Sequence, residues 1–145
     1  MAEIVEETEK NIDYKKRFYE TEFKIKNTLD AISHSACGVA MDIDAKCIVV
    51  CTLSGQTARM VSRFRSPIDI IGMTTSKKVW YKLAMSWGVT PVLSRPFNST
   101  DVLFYHALES AQSTFELKAG DKMVVTGGQT SGASGNTNLI KIETI

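Results

Sequence analysis

The run Cys47-Ile48-Val49-Val50-Cys51-Thr52-Leu53-Ser54-Gly55-Gln56-Thr57 decides the fold. Its first five residues are apolar without interruption and mostly β-branched, the pattern of a short strand with no solvent face. Ser54 and Gly55 break the run, and Ala58, Met60, Val61 and Phe64 then recur at helical spacing until Ser66-Pro67 stops them. Upstream, Thr28 is a candidate N-cap for a helix ending near Asp44, in which Leu29, Ile32, Ala36, Val39, Ala40 and Ile43 recur three or four apart.

The unit repeats downstream. Ile68 to Met73 reads as a strand, Thr75 or Ser76 can cap a helix reaching Trp87, and Gly88 sits where a C-terminal glycine belongs. Val89 to Leu93 is a third strand, and Asn98-Ser99-Thr100-Asp101 opens a helix to about Phe115. Lys118 to Asp121 forms a turn, followed by strands over Lys122 to Thr126 and Asn138 to Thr144. Strands alternating with helices imply parallel pairs joined by right-handed crossovers, and the last two strands, lacking a helix between them, form an antiparallel edge. The expected fold is α/β, a three-layer αβα sandwich around a five-stranded mixed sheet.

A chain of 145 residues with 43% apolar side chains suffices for one domain. Its 17 Lys and Arg against 16 Asp and Glu give a net charge of +1, which offers no general field for nucleic acid or an anionic membrane. The longest apolar runs are of strand length and the N-terminus is acidic, so a soluble, cytoplasmic protein is expected. Cys37, Cys47 and Cys51 form no C-x-x-C pair. On one strand, Cys47 and Cys51 stand roughly 13 Å apart, too far to be bridged. All three read as buried or half-buried thiols.

Residues 1–26 differ from the rest. Glu3 to Lys26 holds 13 charged residues out of 24, with Phe18, Tyr19 and Phe23 among them. The expectation is an appended solvated helix whose aromatics pack on something outside this domain, with the α/β domain occupying 27–145.

Two loops are candidates for chemistry, because open α/β sheets gather ligands beyond the carboxyl ends of their strands, at helix N-termini. Thr52-Leu53-Ser54-Gly55-Gln56-Thr57 offers three hydroxyls, a glycine and a helix dipole to a phosphate or carboxylate. Ser54 as a plain helix cap explains the same residues. Gly127 to Asn138 contains four of the nine glycines and is longer than a hairpin needs. Gly127 to Ser134 spells G-x-x-x-x-G-A-S, but it lacks the lysine of a phosphate-binding P-loop and precedes a strand. It is either a loop that closes on an anion or a flexible connection. His34 and His106 form no triad or metal pair, and Trp80, Tyr81, Leu83, Ala84 and Trp87 read as a packing stripe. No acid, base and nucleophile constellation stands out, so catalytic and metal-binding residues are expected to be absent.

The run Ile48 to Arg65, with Ile70 to Thr74, Leu83 to Val89, Gly120-Asp121, Gly132 to Thr137 and Thr137 to Ile142, resembles the C-terminal domain of pyruvate kinase, especially in bacterial forms. The acidic Ile4 to Glu9 resembles the helix closing that enzyme's catalytic barrel. The resemblance implies an αβα regulatory domain of a homotetrameric glycolytic kinase, and a remnant of the last barrel helix in 1–26. It places phosphoenolpyruvate, ADP, Mg²⁺ and K⁺ in a barrel this chain lacks, so the chain alone should be inactive and hold no cofactor. It further implies that Thr52, Ser54, Gly55, Gln56 and Thr57 grip an effector phosphate, while Gly132, Ser134, Gly135 and Asn136 belong to a flap over its sugar. Relatives activated by fructose 1,6-bisphosphate commonly carry a basic residue in the first loop, whereas Leu53 and Gln56 are neutral here. A sugar monophosphate or AMP then becomes as plausible a ligand, since the charge-assisted bonds are missing. Helix 28–43 and strand 138–145 match the elements of the family's intersubunit contact. The alternative is an oligomerisation module with no effector.

Overall fold

The computed structural model describes residues 1–128 and 136–145. Three helices precede the sheet: α1 (Ala2–Glu9), α2 (Tyr14–Glu20) and α3 (Thr28–Asp42). The alternating part follows with β1 (Cys47–Cys51), α4 (Gln56–Arg63), β2 (Asp69–Thr74), α5 (Lys77–Leu83), β3 (Val89–Leu93) and α6 (Thr100–Thr114). Strands β4 (Lys122–Gly128) and β5 (Thr137–Thr144) complete it. The sheet order is β3-β2-β1-β4-β5, with β1 parallel to β2 and β4, β2 parallel to β3, and β5 antiparallel at the edge beside β4. This is the expected αβα sandwich.

β1 lies at the centre because every one of its residues is buried. Alternation divides them between two cores. Ile48 and Val50 face Ala36, Cys37 and Ala40 of α3, Ala58 and Val61 of α4, and Leu83 of α5. Cys47, Val49 and Cys51 face Leu103, Ala107 and Ala111 of α6, together with Ile71, Met73, Met123 and Val125. Gly72 of β2 exists for closeness. A Cβ there would stand 2.8 Å from Leu83 and 3.6 Å from Ala58, so α5 and α4 both pack closely on this strand.

Caps explain the helix boundaries. The Asn27 side chain, not Thr28, caps α3 by accepting from the Asp30 N–H at 2.8 Å, while Ser76 and Ser99 cap α5 and α6. Helix α5 stops at Leu83, earlier than the apolar stripe suggests, and the chain turns through Ala84 to Trp87 before Gly88 takes a left-handed φ of 68°. Tyr81 of that stripe is exposed rather than packed. Trp80 instead donates its indole N–H to the Pro91 carbonyl at 3.1 Å.

The N-terminal segment departs from expectation in two ways. It is two helices rather than one, because Asp13 accepts from the Lys16 N–H and starts a new helix. Its aromatics also have partners within the chain. Phe18 is buried, stacks on His34 with centroids 4.8 Å apart, and meets Phe23, which in turn packs edge-on against Phe64 beyond the end of α4. Tyr19 is exposed but donates its hydroxyl to Asp42 at 2.7 Å. Phe18 and Phe23 thus pack within the chain, on α3 and the end of α4, rather than on a surface outside it, while Tyr19 stays exposed.

Three expectations follow. Phe18→Ala empties an aromatic site in this cluster and should lower stability by about 3 kcal/mol in urea unfolding. The three cysteines are free and buried, and burial pushes each thiol from its ordinary 9.0 to about 12. In the unfolded chain they ionise near 9 while the folded chain keeps its protons, so stability should fall as pH rises from 9 towards 12. A thiol reagent at pH 8 should label the folded protein slowly and the chain in guanidinium at all three sites.

Candidate functional site

The carboxyl ends of β1, β2 and β4 share one side of the sheet because these strands are parallel. The Thr52–Thr57 loop leaves β1 there and feeds α4. Its geometry is set by two backbone features. The Thr52 N–H donates to the Met73 carbonyl at 2.9 Å, extending the pairing with β2, and Gly55 then takes a φ of 83°. That left-handed turn favours glycine, and a Cβ would stand 3.0 Å from Val79 Cγ1 of α5.

The loop's side chains divide into two kinds. Thr52 is buried, and its hydroxyl accepts from the Gly55 N–H at 2.9 Å, holding the turn. Thr57 is buried as well, with its hydroxyl 2.6 Å from that of Thr137 on β5. These two alcohols are occupied within the chain. Ser54 and Gln56 are exposed, and the Ser54 hydroxyl accepts from the Gln56 N–H at 3.4 Å. Gly55 occupies the N-cap of α4 without a side-chain cap of its own, and the Gly55 and Gln56 N–H groups are taken by Thr52 and Ser54. The two threonines thus frame the loop, and its exposed polar side chains are those of Ser54 and Gln56.

The second loop is described only at its ends. Gly132, Ser134 and Gly135 lie outside the described residues, and Asn136 is exposed. Thr137 pairs with Gly128 across a register irregularity and, through its hydroxyl, touches Thr57, so the roots of both loops meet at one point.

Sequence reasoning did not single out Asp30 and Ser33. Both are buried on α3, and Asp30 Oδ1 and Ser33 Oγ have no hydrogen-bond partner among the described residues. In sequence Asp30 reads as an ordinary first-turn acid, and the Oδ2 atom does accept from the Lys26 N–H at 3.1 Å. His106 is buried with Nδ1 3.1 Å from the Ser94 hydroxyl, and His34 is half-buried in the aromatic cluster. No group of three His, Cys, Asp or Glu among the described residues is arranged to hold a metal ion. No described helix is long and apolar enough to cross a membrane.

The sequence family described as "Pyruvate kinase, alpha/beta domain" matches residues 30–143. The chain belongs to that family. Among curated relatives, it is 40% identical over 146 residues to a pyruvate kinase of Clostridium acetobutylicum, covering all of this chain and 31% of that protein. It is 35% identical to the pyruvate kinases of Lactobacillus delbrueckii subsp. bulgaricus and Staphylococcus epidermidis, each time over its full length and 25% of theirs. The chain thus spans about a quarter to a third of the length of these relatives. Family membership and the sheet agree, since residues 30–143 contain β1 to β4 and all but the last residue of β5.

The geometry at Gly55 makes a direct expectation. Gly55→Ala should cost more than about 1 kcal/mol in urea unfolding, because it combines a left-handed backbone with crowding against Val79. Ser54→Ala, at an exposed position, should change stability by less than about 0.5 kcal/mol.

Proposed function

We propose that this chain is the regulatory domain of a pyruvate kinase and binds a phosphorylated small molecule, a sugar phosphate or AMP, on the Thr52–Thr57 loop. The observation that carries the reading is the uncapped start of α4 at a left-handed glycine, beyond the carboxyl end of the central strand. Such a terminus presents N–H groups and positive dipole to an anion. Ser54, Gln56 and the Gly55 turn supply the contacts in this reading. Thr52 and Thr57 hold the loop in shape, and Gly132, Ser134, Gly135 and Asn136 close over the sugar. With Leu53 and Gln56 neutral, the loop brings no cationic side chain to a phosphate, so a monophosphate fits it as well as a bisphosphate.

The parent enzyme in this proposal transfers a phosphoryl group from phosphoenolpyruvate to ADP in the cytoplasm, using Mg²⁺ and K⁺ in a barrel outside this chain. Residues 1–26 are then the last barrel helix and its connection, with the regulatory domain in 27–145. The domain contributes no catalytic residue and is inactive alone. Helix 28–43 and strand 138–145 supply its self-association within a tetramer. The occupied hydroxyls of Thr52 and Thr57 favour a second reading, in which the domain serves assembly alone.

Thermal denaturation separates the two. Binding only to the folded state adds about 2.7 kcal/mol at a ligand concentration one hundred times Kd. Ribose 5-phosphate or AMP should therefore raise Tm by several degrees, ribose should leave it unchanged, and Ser54→Ala should reduce the rise. A Tm that ignores every phosphate but climbs with protein concentration would leave only the assembly role.

A further inference from the structure

One short helix joins the candidate anion loop to the N-terminal segment. α4 has eight residues, about 12 Å of rise, and both its ends are fixed. At its start are the Gly55 turn and the Thr57–Thr137 contact. At its end the Ser62 hydroxyl donates to the Trp87 carbonyl at 2.6 Å. Arg65 follows with a φ of 52°, unusual for a residue bearing a side chain. Its guanidinium donates to the Ser62 carbonyl at 2.7 Å and lies 4.9 Å from the centre of the Trp87 ring. These bonds hold the backbone in a conformation it would not choose alone.

Trp87 then reaches across to the segment. Its indole N–H donates to the Glu9 carboxylate at 2.7 Å, 78 residues away in sequence. Tyr14 stacks obliquely on the same ring at 5.0 Å, and its hydroxyl donates to the same carboxylate oxygen at 3.4 Å. Trp87 is therefore held by Glu9 and Tyr14 on one side and by Ser62 and Arg65 on the other. Gly55 at the start of α4 lies against Val79 of α5, and Gly72 of β2 lies against Leu83 of the same helix, so the Gly55 turn is closely packed from that side.

We propose that α4 is a coupling element, tied to the N-terminal segment through Ser62, Trp87 and Glu9 at one end and to the Thr52–Thr57 loop at the other. The coupling stands on this geometry, while its regulatory meaning rests on the anion reading above. A shift of α1 and α2 pulls on Trp87, moves the end of α4, and reaches the Gly55 turn with little loss because the helix interior is packed. Reciprocally, whatever orders the turn restrains the segment.

Hydrogen–deuterium exchange of the full chain without ligand tests the coupling separately from phosphate binding. Glu9→Ala removes the acceptor from an exposed helix that tolerates alanine, and Trp87→Phe removes the donor while retaining a ring. In both variants, peptides covering α1 and α2 should exchange at least fivefold faster and those covering residues 56–62 at least threefold faster, with β1 and β4 unchanged. Acceleration confined to α1 and α2, no change anywhere, or a uniform increase that includes β1 would each overturn the proposal. If exchange couples while no phosphate shifts Tm, the coupling stands and the anion reading fails.

Discussion

The structure depends on the absence of any solvent face on β1. With each of its five residues buried, the strand requires a helix layer on either side, and two hydrogen-bonded neighbours complete its backbone. Even-numbered positions organise the layer of α3, α4 and α5, and odd-numbered ones organise α6. The same strand delivers Thr52 to the mouth of the sheet. Burial and the position of the candidate site are consequences of one apolar run.

Periodicity made most of this architecture legible. The Cys47–Cys51 run, the helix beginning beside Asn27 and the antiparallel closing pair all follow from spacing of apolar residues, because these elements meet the core directly. The N-terminal segment was less legible. Its sparse apolar residues matched a single solvated helix, and nothing in Phe18 or Phe23 alone announces His34 and Phe64 as their partners, since those contacts depend on how the chain folds back. The end of α5 was obscured for a related reason. Trp80 and Trp87 are spaced like one helical stripe, yet their indole N–H groups seek separate acceptors, Pro91 and Glu9, on different parts of the molecule.

At the candidate site, sequence marked the loop but not the division of labour within it. Three hydroxyls and a glycine look equivalent as ligand contacts when written in a row. In three dimensions Thr52 and Thr57 satisfy internal partners, and the exposed functional groups are those of Ser54 and Gln56 beside the helix start. The buried hydroxyls of Thr52 and Thr57 find partners inside the chain, so burial, which a residue string does not display locally, decides which alcohol of this loop remains available.

The roots of the second loop carry a different lesson. Gly128 and Thr137 face one another across the last rung of the β4–β5 pair, and a side chain at Gly128 would collide with the Asn136 carbonyl. These anchor points are fixed by the ladder itself. Once the ends are pinned, closure entropy grows only with the logarithm of length, about 0.6 kcal/mol for each doubling. A connection between anchors held in this way can change in length or composition while Gly128 and Thr137 keep their places in the ladder.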